Sequence, residues 1–218
     1  MIRVPEPELM EDEESVTAYS QANFDEPHER FLDLMEGTIG KPIQQESILD
    51  LGCGSGDIIR RWQKRYTGEW RITGLDASEV MLNMARQSCS STNIQWIKSY
   101  LPELPEHIAG DRIICNSLLH HLKSPDQLWK VLKAEKFLGS SFFLMDLSRP
   151  ATEERCQELV NLYAGDEPEI HKQDFYNSLK AAYRPEEVFQ QLYEANLDTD
   201  FRVEVVSDRH LIVHGILL

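Results

Sequence analysis

Three glycines at alternate positions separate two acids in Asp50-Leu51-Gly52-Cys53-Gly54-Ser55-Gly56-Asp57. Glycine is needed where backbone takes positive φ or approaches a ligand with no Cβ between them, so a ligand can lie directly on this turn. A further acid, Asp76, closes the run Trp70-Arg71-Ile72-Thr73-Gly74-Leu75 twenty residues after Gly56. That is the separation at which a nucleoside-binding βαβ unit sets its ribose-binding carboxylate. A dinucleotide turn, G-x-G-x-x-G, would need its third glycine at position 57, where this chain has Asp57. A carboxylate there repels a pyrophosphate, and Asp50 adds more negative charge. Two or three acids with few bases suit a cationic or zwitterionic nucleoside instead.

A second group follows in Asn116-Ser117-Leu118-Leu119-His120-His121-Leu122. A histidine, with an ordinary pKa of about 6.5, can take the proton from an attacking hydroxyl or ammonium. Adjacent residues after a strand point different ways, so at most one of the pair faces a reacting group. Packing against the next helix is the alternative for both. Metal ligation is not expected, because no third histidine or carboxylate falls nearby at ligand spacing.

These residues need elements to position them. Short apolar runs at 47–50, 70–76, 94–98, 111–116 and 141–146 read as strands. Helical stretches at 57–66, 78–88 and 124–136 separate them. Such alternation predicts an α/β fold, a parallel sheet with helices on both faces, binding ligands at the carboxyl ends of its strands. Two helices, 152–164 and 169–183, interrupt the rhythm. Pro185 then opens a helix to Ala195. The chain finishes with strands 202–206 and 211–217, whose short connection makes them antiparallel. Ahead of the first strand, an acidic arm leads to one helix from Ser15 through Tyr19 and another over 29–37.

At 218 residues the chain suits one domain, and 22 basic against 37 acidic residues give a net charge of −15. That balance argues against nucleic acid as a partner. Arg60, Arg61, Lys64 and Arg65 share one helix and read as a solvated face. Cys53, Cys89, Cys115 and Cys156 have no paired spacing and read as reduced thiols of a cytoplasmic protein. No apolar run is long enough to span a bilayer and no leader is evident, so no membrane partner is expected.

The acid followed by G-x-G-x-G resembles motif I of the class I S-adenosylmethionine-dependent methyltransferases, and N-S-L-L-H-H-L is similar to a stretch of many small-molecule methyltransferases. The resemblance covers about residue 46 to the end. It implies a Rossmann-like seven-stranded, mostly parallel sheet with an antiparallel C-terminal strand. The whole forms a single domain: arm and lid helices (1–45), cofactor core (46–150), helical cap insertion (151–183), and C-terminal helix and strand pair (184–218). It implies S-adenosyl-L-methionine as cofactor, spent to S-adenosyl-L-homocysteine on a small-molecule N, O or C acceptor by in-line displacement. Asp50 with Gly52, Cys53, Gly54 and Gly56 would hold the amino-acid end, and Asp76, beside Ala77, the ribose hydroxyls. Where many relatives have an acid for adenine, this chain offers Ser99 and Tyr100, the latter equally readable as a structural side chain. Asn116 would sit at the methyl, with His120 or His121 as base and Tyr19 on the lid. Phe24, Arg149, Tyr176 and Asn177 are the candidates for acceptor contact, with surface or packing roles as their alternatives. Two other functions stay open: a non-catalytic S-adenosylmethionine-binding regulator or partner subunit, and an NAD-dependent oxidoreductase.

Overall fold

The structure is a computed structural model that describes residues 1–6, 24–89, 91 and 93–218. Its elements are α1 (Asp25–Ile39), β1 (Ser47–Leu51), α2 (Asp57–Arg65), β2 (Arg71–Asp76), α3 (Glu79–Ser88), β3 (Ile94–Lys98), β4 (Arg112–Asn116), α4 (Asp126–Leu132), β5 (Ser141–Leu147), α5 (Glu153–Ala164), α6 (Glu169–Ala181), α7 (Pro185–Glu194), β6 (Phe201–Val205) and β7 (His210–Ile216). The seven strands form one sheet in the order β3-β2-β1-β4-β5-β7-β6. β1 pairs in parallel with β2 and β4, and β7 runs antiparallel between β5 and β6. The expected Rossmann-like sheet with an antiparallel C-terminal strand is therefore present.

β1 is buried along its whole length, as a central parallel strand covered on both faces must be. Side chains alternate between faces, so neighbours enter different cores. Leu49, Phe142 and Leu144 pack with Trp129, Val188 and Leu192. Ile48, Phe143 and Met145 pack on the other face with Phe31, Met35 and Trp62. Each such side chain contributes about 1.5–3 kcal/mol by burial. The order reverses between β1 and β4, which brings Gly52, Asp76 and Asn116 to one edge of the sheet.

Several elements depart from the sequence reading. The helix expected over 124–136 ends at Leu132, because Ala134 turns extended and a 3-10 turn, Glu135–Phe137, buries Phe137. α6 stops at Ala181, where Ala182 is extended and Tyr183 bridges to Ser148. The basic stripe of α2 is only in part a solvated face: Lys64 is exposed, but Arg61 and Arg65 are paired. Arg61 is only 9% exposed and bonds Asp25, Glu29 and Asp57, while Arg65 bonds Asp33 and Glu36. Asp25, Glu29, Asp33 and Glu36 recur at helical spacing, so α1 presents one acidic face to those cations. The helix expected from Ser15, with Tyr19, lies outside the described residues.

Candidate functional site

The turn after β1 is held by Leu75, whose carbonyl accepts from the amides of Gly52 and Cys53 at 2.8 and 2.9 Å. The three glycines serve different ends. Gly54 (φ +50°) has open space where a Cβ would stand, whereas a Cβ on Gly56 (φ +78°) would meet the Trp96 ring at 2.8 Å. Gly54 therefore faces a cleft, and Gly56 lets α3 and β3 pack close. Asp76 accepts from the Gly54 and Ser78 amides, both at 2.8 Å. Burial raises its pKa against those hydrogen bonds. Asp50 lies deeper: burial and the charge of Asp76 push it up to about 8. The cleft is lined by Gly52, Gly54, Asp76, Ala77, Ser99, Tyr100 and Asn116, among others.

A second cavity, of about 550 Å³, opens on the other side of Asn116. Phe24 and His28 from α1 and its approach, Met145 and Leu147 from β5, Phe175 and Ser178 from α6, and His210 from β7 line it. Asn116, Ser117 and His121 line both spaces. Ser117 has left-handed backbone (φ +53°), a strained state for a side-chain-bearing residue that turns the chain sharply between them. His120 is fixed by Asp146, whose Oδ1 sits 2.5 Å from Nδ1 while Oδ2 accepts from the Leu119 amide at 2.7 Å. Burial would lower the pKa of His120, but Asp146 and Glu6 outweigh it and raise the value. Burial and Arg209 push His210 down to about 4. A larger hollow, about 750 Å³, lies at the opposite edge of the sheet among the strand starts Ser47, Arg71 and Ile72, far from these groups.

Residues 48–139 match the family described as a methyltransferase domain. The chain is 28% identical over 110 residues to the tRNA U34 carboxymethyltransferase of Pseudoalteromonas translucida, covering 49% of this chain and 34% of that protein. It is 30% identical over 136 residues to the trans-aconitate 2-methyltransferase of Delftia acidovorans, covering 58% and 50%. It therefore spans between a third and a half of the length of these curated relatives. In fold it is similar to the plantazolicin methyltransferase BpumL, solved with a pentazolic desmethylPZN analog and SAH, at TM-score 0.70 and 16% identity over 94% of this chain and 91% of that one. Residues 48–139 thus carry a methyltransferase domain, in a fold shared with solved S-adenosylmethionine-dependent methyltransferases.

The residues around the cleft fit S-adenosylmethionine. Asp50 Oδ2 and Asn116 Oδ1 are buried without a hydrogen-bond partner among the described residues. Asn116 lines the cleft, and Asp50 stands next to the end of β1, close enough to Asp76 for their charges to interact; a ligand's donor groups can satisfy such atoms. Asp76 and the open turn at Gly54 complete the cradle. Cys53 and Gly56 contribute otherwise: the Cys53 thiol is buried within the protein, and Gly56 serves packing.

Other expectations need correction. Asp57 does not face the ligand. Its carboxylate is 2.6 Å from both His28 Nδ1 and Arg61 Nε, and those hydrogen bonds pull its pKa well down against burial. It ties α1 to the helix after the turn. Arg149 misses the cavity, because its buried guanidinium bonds Glu187 and the carbonyls of Ala182 and Met1. Tyr176 packs with Leu159 and Leu179 and under Lys180, while Asn177 is exposed and accepts from Gln173. Helix phase turns Asp174, Phe175 and Ser178 inward instead. Ser99 and Tyr100 border the cleft, with the Ser99 hydroxyl donating to the Glu103 carbonyl.

The exclusion of nucleic acid does not stand, since relatives sharing this core are named for tRNA. Net charge sums the whole surface, whereas a nucleic-acid contact needs a local one. The sequence reading also missed Glu6, His28, Asp146 and His210. For Asp146 there was a signal: an acid ending an otherwise apolar strand, Phe142-Phe143-Leu144-Met145. The four cysteines are free thiols, and no helix among the described residues is long and apolar enough to cross a membrane.

Proposed function

We propose that this chain transfers the methyl group of S-adenosylmethionine to an acceptor held in the 550 Å³ cavity. The observation that carries this reading is the junction at Asn116, Ser117 and His121, through which cofactor cleft and cavity meet. S-adenosylmethionine supplies an electrophilic methyl on a positively charged sulfur. Asp50 and the Gly52–Gly54 backbone hold its amino-acid end, and Asp76 accepts from the ribose hydroxyls. Ser99 and Tyr100 border the place for adenine, and Asn116 stands beside the methyl. Holding two reactants in line contributes about 7–11 kcal/mol to such a displacement. The acceptor's proton leaves by way of the junction at His121.

The cavity has the volume of a small-molecule site, which supports a small acceptor lined by Phe24, Phe175 and Ser178. The relatives named for tRNA U34 favour a second reading, in which one unstacked nucleotide of an RNA enters the same space. Incubation with donor labelled in the methyl group, against a metabolite extract and against total tRNA, separates the two by the fraction that gains label. Tight binding of S-adenosylmethionine with no label in either fraction would overturn both and leave a non-catalytic binder.

A further inference from the structure

Residues 1–6 lie along α6, with the Val4 amide donating to the Lys180 carbonyl at 3.1 Å and Arg3 Nε to the Ala181 carbonyl at 2.5 Å. This brings Glu6 to the histidine pair. Its Oε1 is 3.1 Å from His121 Nδ1 and 3.4 Å from His120 Nε2, and the three ligand atoms all lie within 4.8 Å of one another. Donor atoms around a tetrahedral zinc, at about 2.0–2.2 Å, stand about 3.3–3.6 Å apart. The spacing is thus near that of a coordination sphere. A second observation concerns the other nitrogen of His120. It faces Asp146 at 2.5 Å, and a histidine that ligates a metal characteristically donates its remaining N–H to a carboxylate, which fixes tautomer and ring orientation.

We propose that Glu6, His120 and His121 bind one divalent transition metal of the zinc type. Two imidazoles and a carboxylate leave one coordination position open, the pattern of a catalytic rather than a structural zinc site. Ser178 donates to Glu6 at 3.1 Å and orients it. His121 also lines the junction of cleft and cavity, so a metal held there would take the acceptor's hydroxyl or thiol at its open position. The metal lowers that group's pKa and its proton leaves to solvent. The anion's electron pair then forms the new bond to the methyl carbon as the C–S bond breaks and its pair neutralises the sulfonium. Metal binding itself stands apart from the methyl-transfer reading; only this use of the metal rests on it.

The probe is Co²⁺, added to the full chain after chelator treatment and followed by visible absorption. One equivalent with ligand-field bands is expected, displaced by Zn²⁺. Glu6→Gln and His121→Ala, at half-buried positions that keep Asp146–His120 intact, each weaken Co²⁺ by more than about tenfold, while Asp146→Asn weakens it about 10–100-fold. His214→Ala, on the separate His214–Glu204 pair, leaves it unchanged. Equal Co²⁺ uptake by wild type, Glu6→Gln and His121→Ala, or no uptake by wild type, overturns the site. Calorimetry with S-adenosylmethionine and thermal unfolding of the same chelated samples keep this outcome distinct from loss of the cofactor site or of the fold.

Discussion

The two spaces that meet at Asn116 are built in different ways. The cleft that fits the cofactor is made of backbone turns and strand ends, most of it between Gly52 and Tyr100, where β1, β2 and β3 end. The cavity proposed for the acceptor is made of side chains from α1, β5, α5, α6 and β7, and histidines recur in it: His28, His120, His121, His171 and His210. A cleft built on backbone geometry recognises one ligand by a few fixed groups. A cavity built on side chains from elements far apart in sequence can change its acceptor while the cleft stays the same.

The largest test of that contrast is Asp76→Ala. Loss of two hydrogen bonds to a charged group, worth about 1.5–3 kcal/mol each, is expected to weaken S-adenosylmethionine by about 100-fold or more in calorimetry. A change below threefold would remove Asp76 from the cofactor site. Next come the two glycines. Gly56→Ala, pressed against Trp96, is expected to cost about 1–3 kcal/mol of stability in denaturant titration. Gly54→Ala, also at positive φ, should cost about 1–2 kcal/mol of backbone strain and act mainly on cofactor affinity, because its Cβ has open space. Equal effects on both readouts would erase the division between them.

A smaller effect concerns pH. Asp50 titrates near 8 in the free protein, against an ordinary 3.8. A cationic ligand favours its ionised form, so affinity should rise with pH, by at most about tenfold per unit, and level off above about 8. Asp50→Asn should flatten the slope; an unchanged slope would assign it to another group. By the same linkage, the unliganded fold loses stability as pH rises from 3.8 toward about 8, since the unfolded chain gives up this proton first. The smallest effect is the sharpest on the cavity wall. Asn177→Ala should leave acceptor KM unchanged, whereas Phe175→Ala, two positions away on α6, should raise it severalfold.

Legibility in the sequence followed the same division. Asp50, Gly54, Asp76 and Asn116 could be placed because each marks a local event, a strand end or a turn that forces positive φ. The parallel sheet around them followed from alternation, and its antiparallel final pair from a short connection, whereas the strand order came from the tertiary structure. Arg149, Tyr176 and Asn177 could not be placed, since helix phase and the Glu187 partner decide which way those side chains point. Arg61 read as a surface cation because its acidic partners lie on α1, a separate stretch of chain.

The sequence by itself determined the α/β sheet, the glycine turn after its first strand and the acids and Asn116 at its strand ends. These depend on backbone conformation and strand-end chemistry, which short stretches encode. The tertiary structure alone decided that Asp57 braces α1, that Asp146 fixes His120, and that Glu6 completes a three-ligand set with His120 and His121. Each of these joins residues remote in the chain, and no spacing rule spans that distance: packing of residues 1–6 along α6 is what brings the third ligand to the pair.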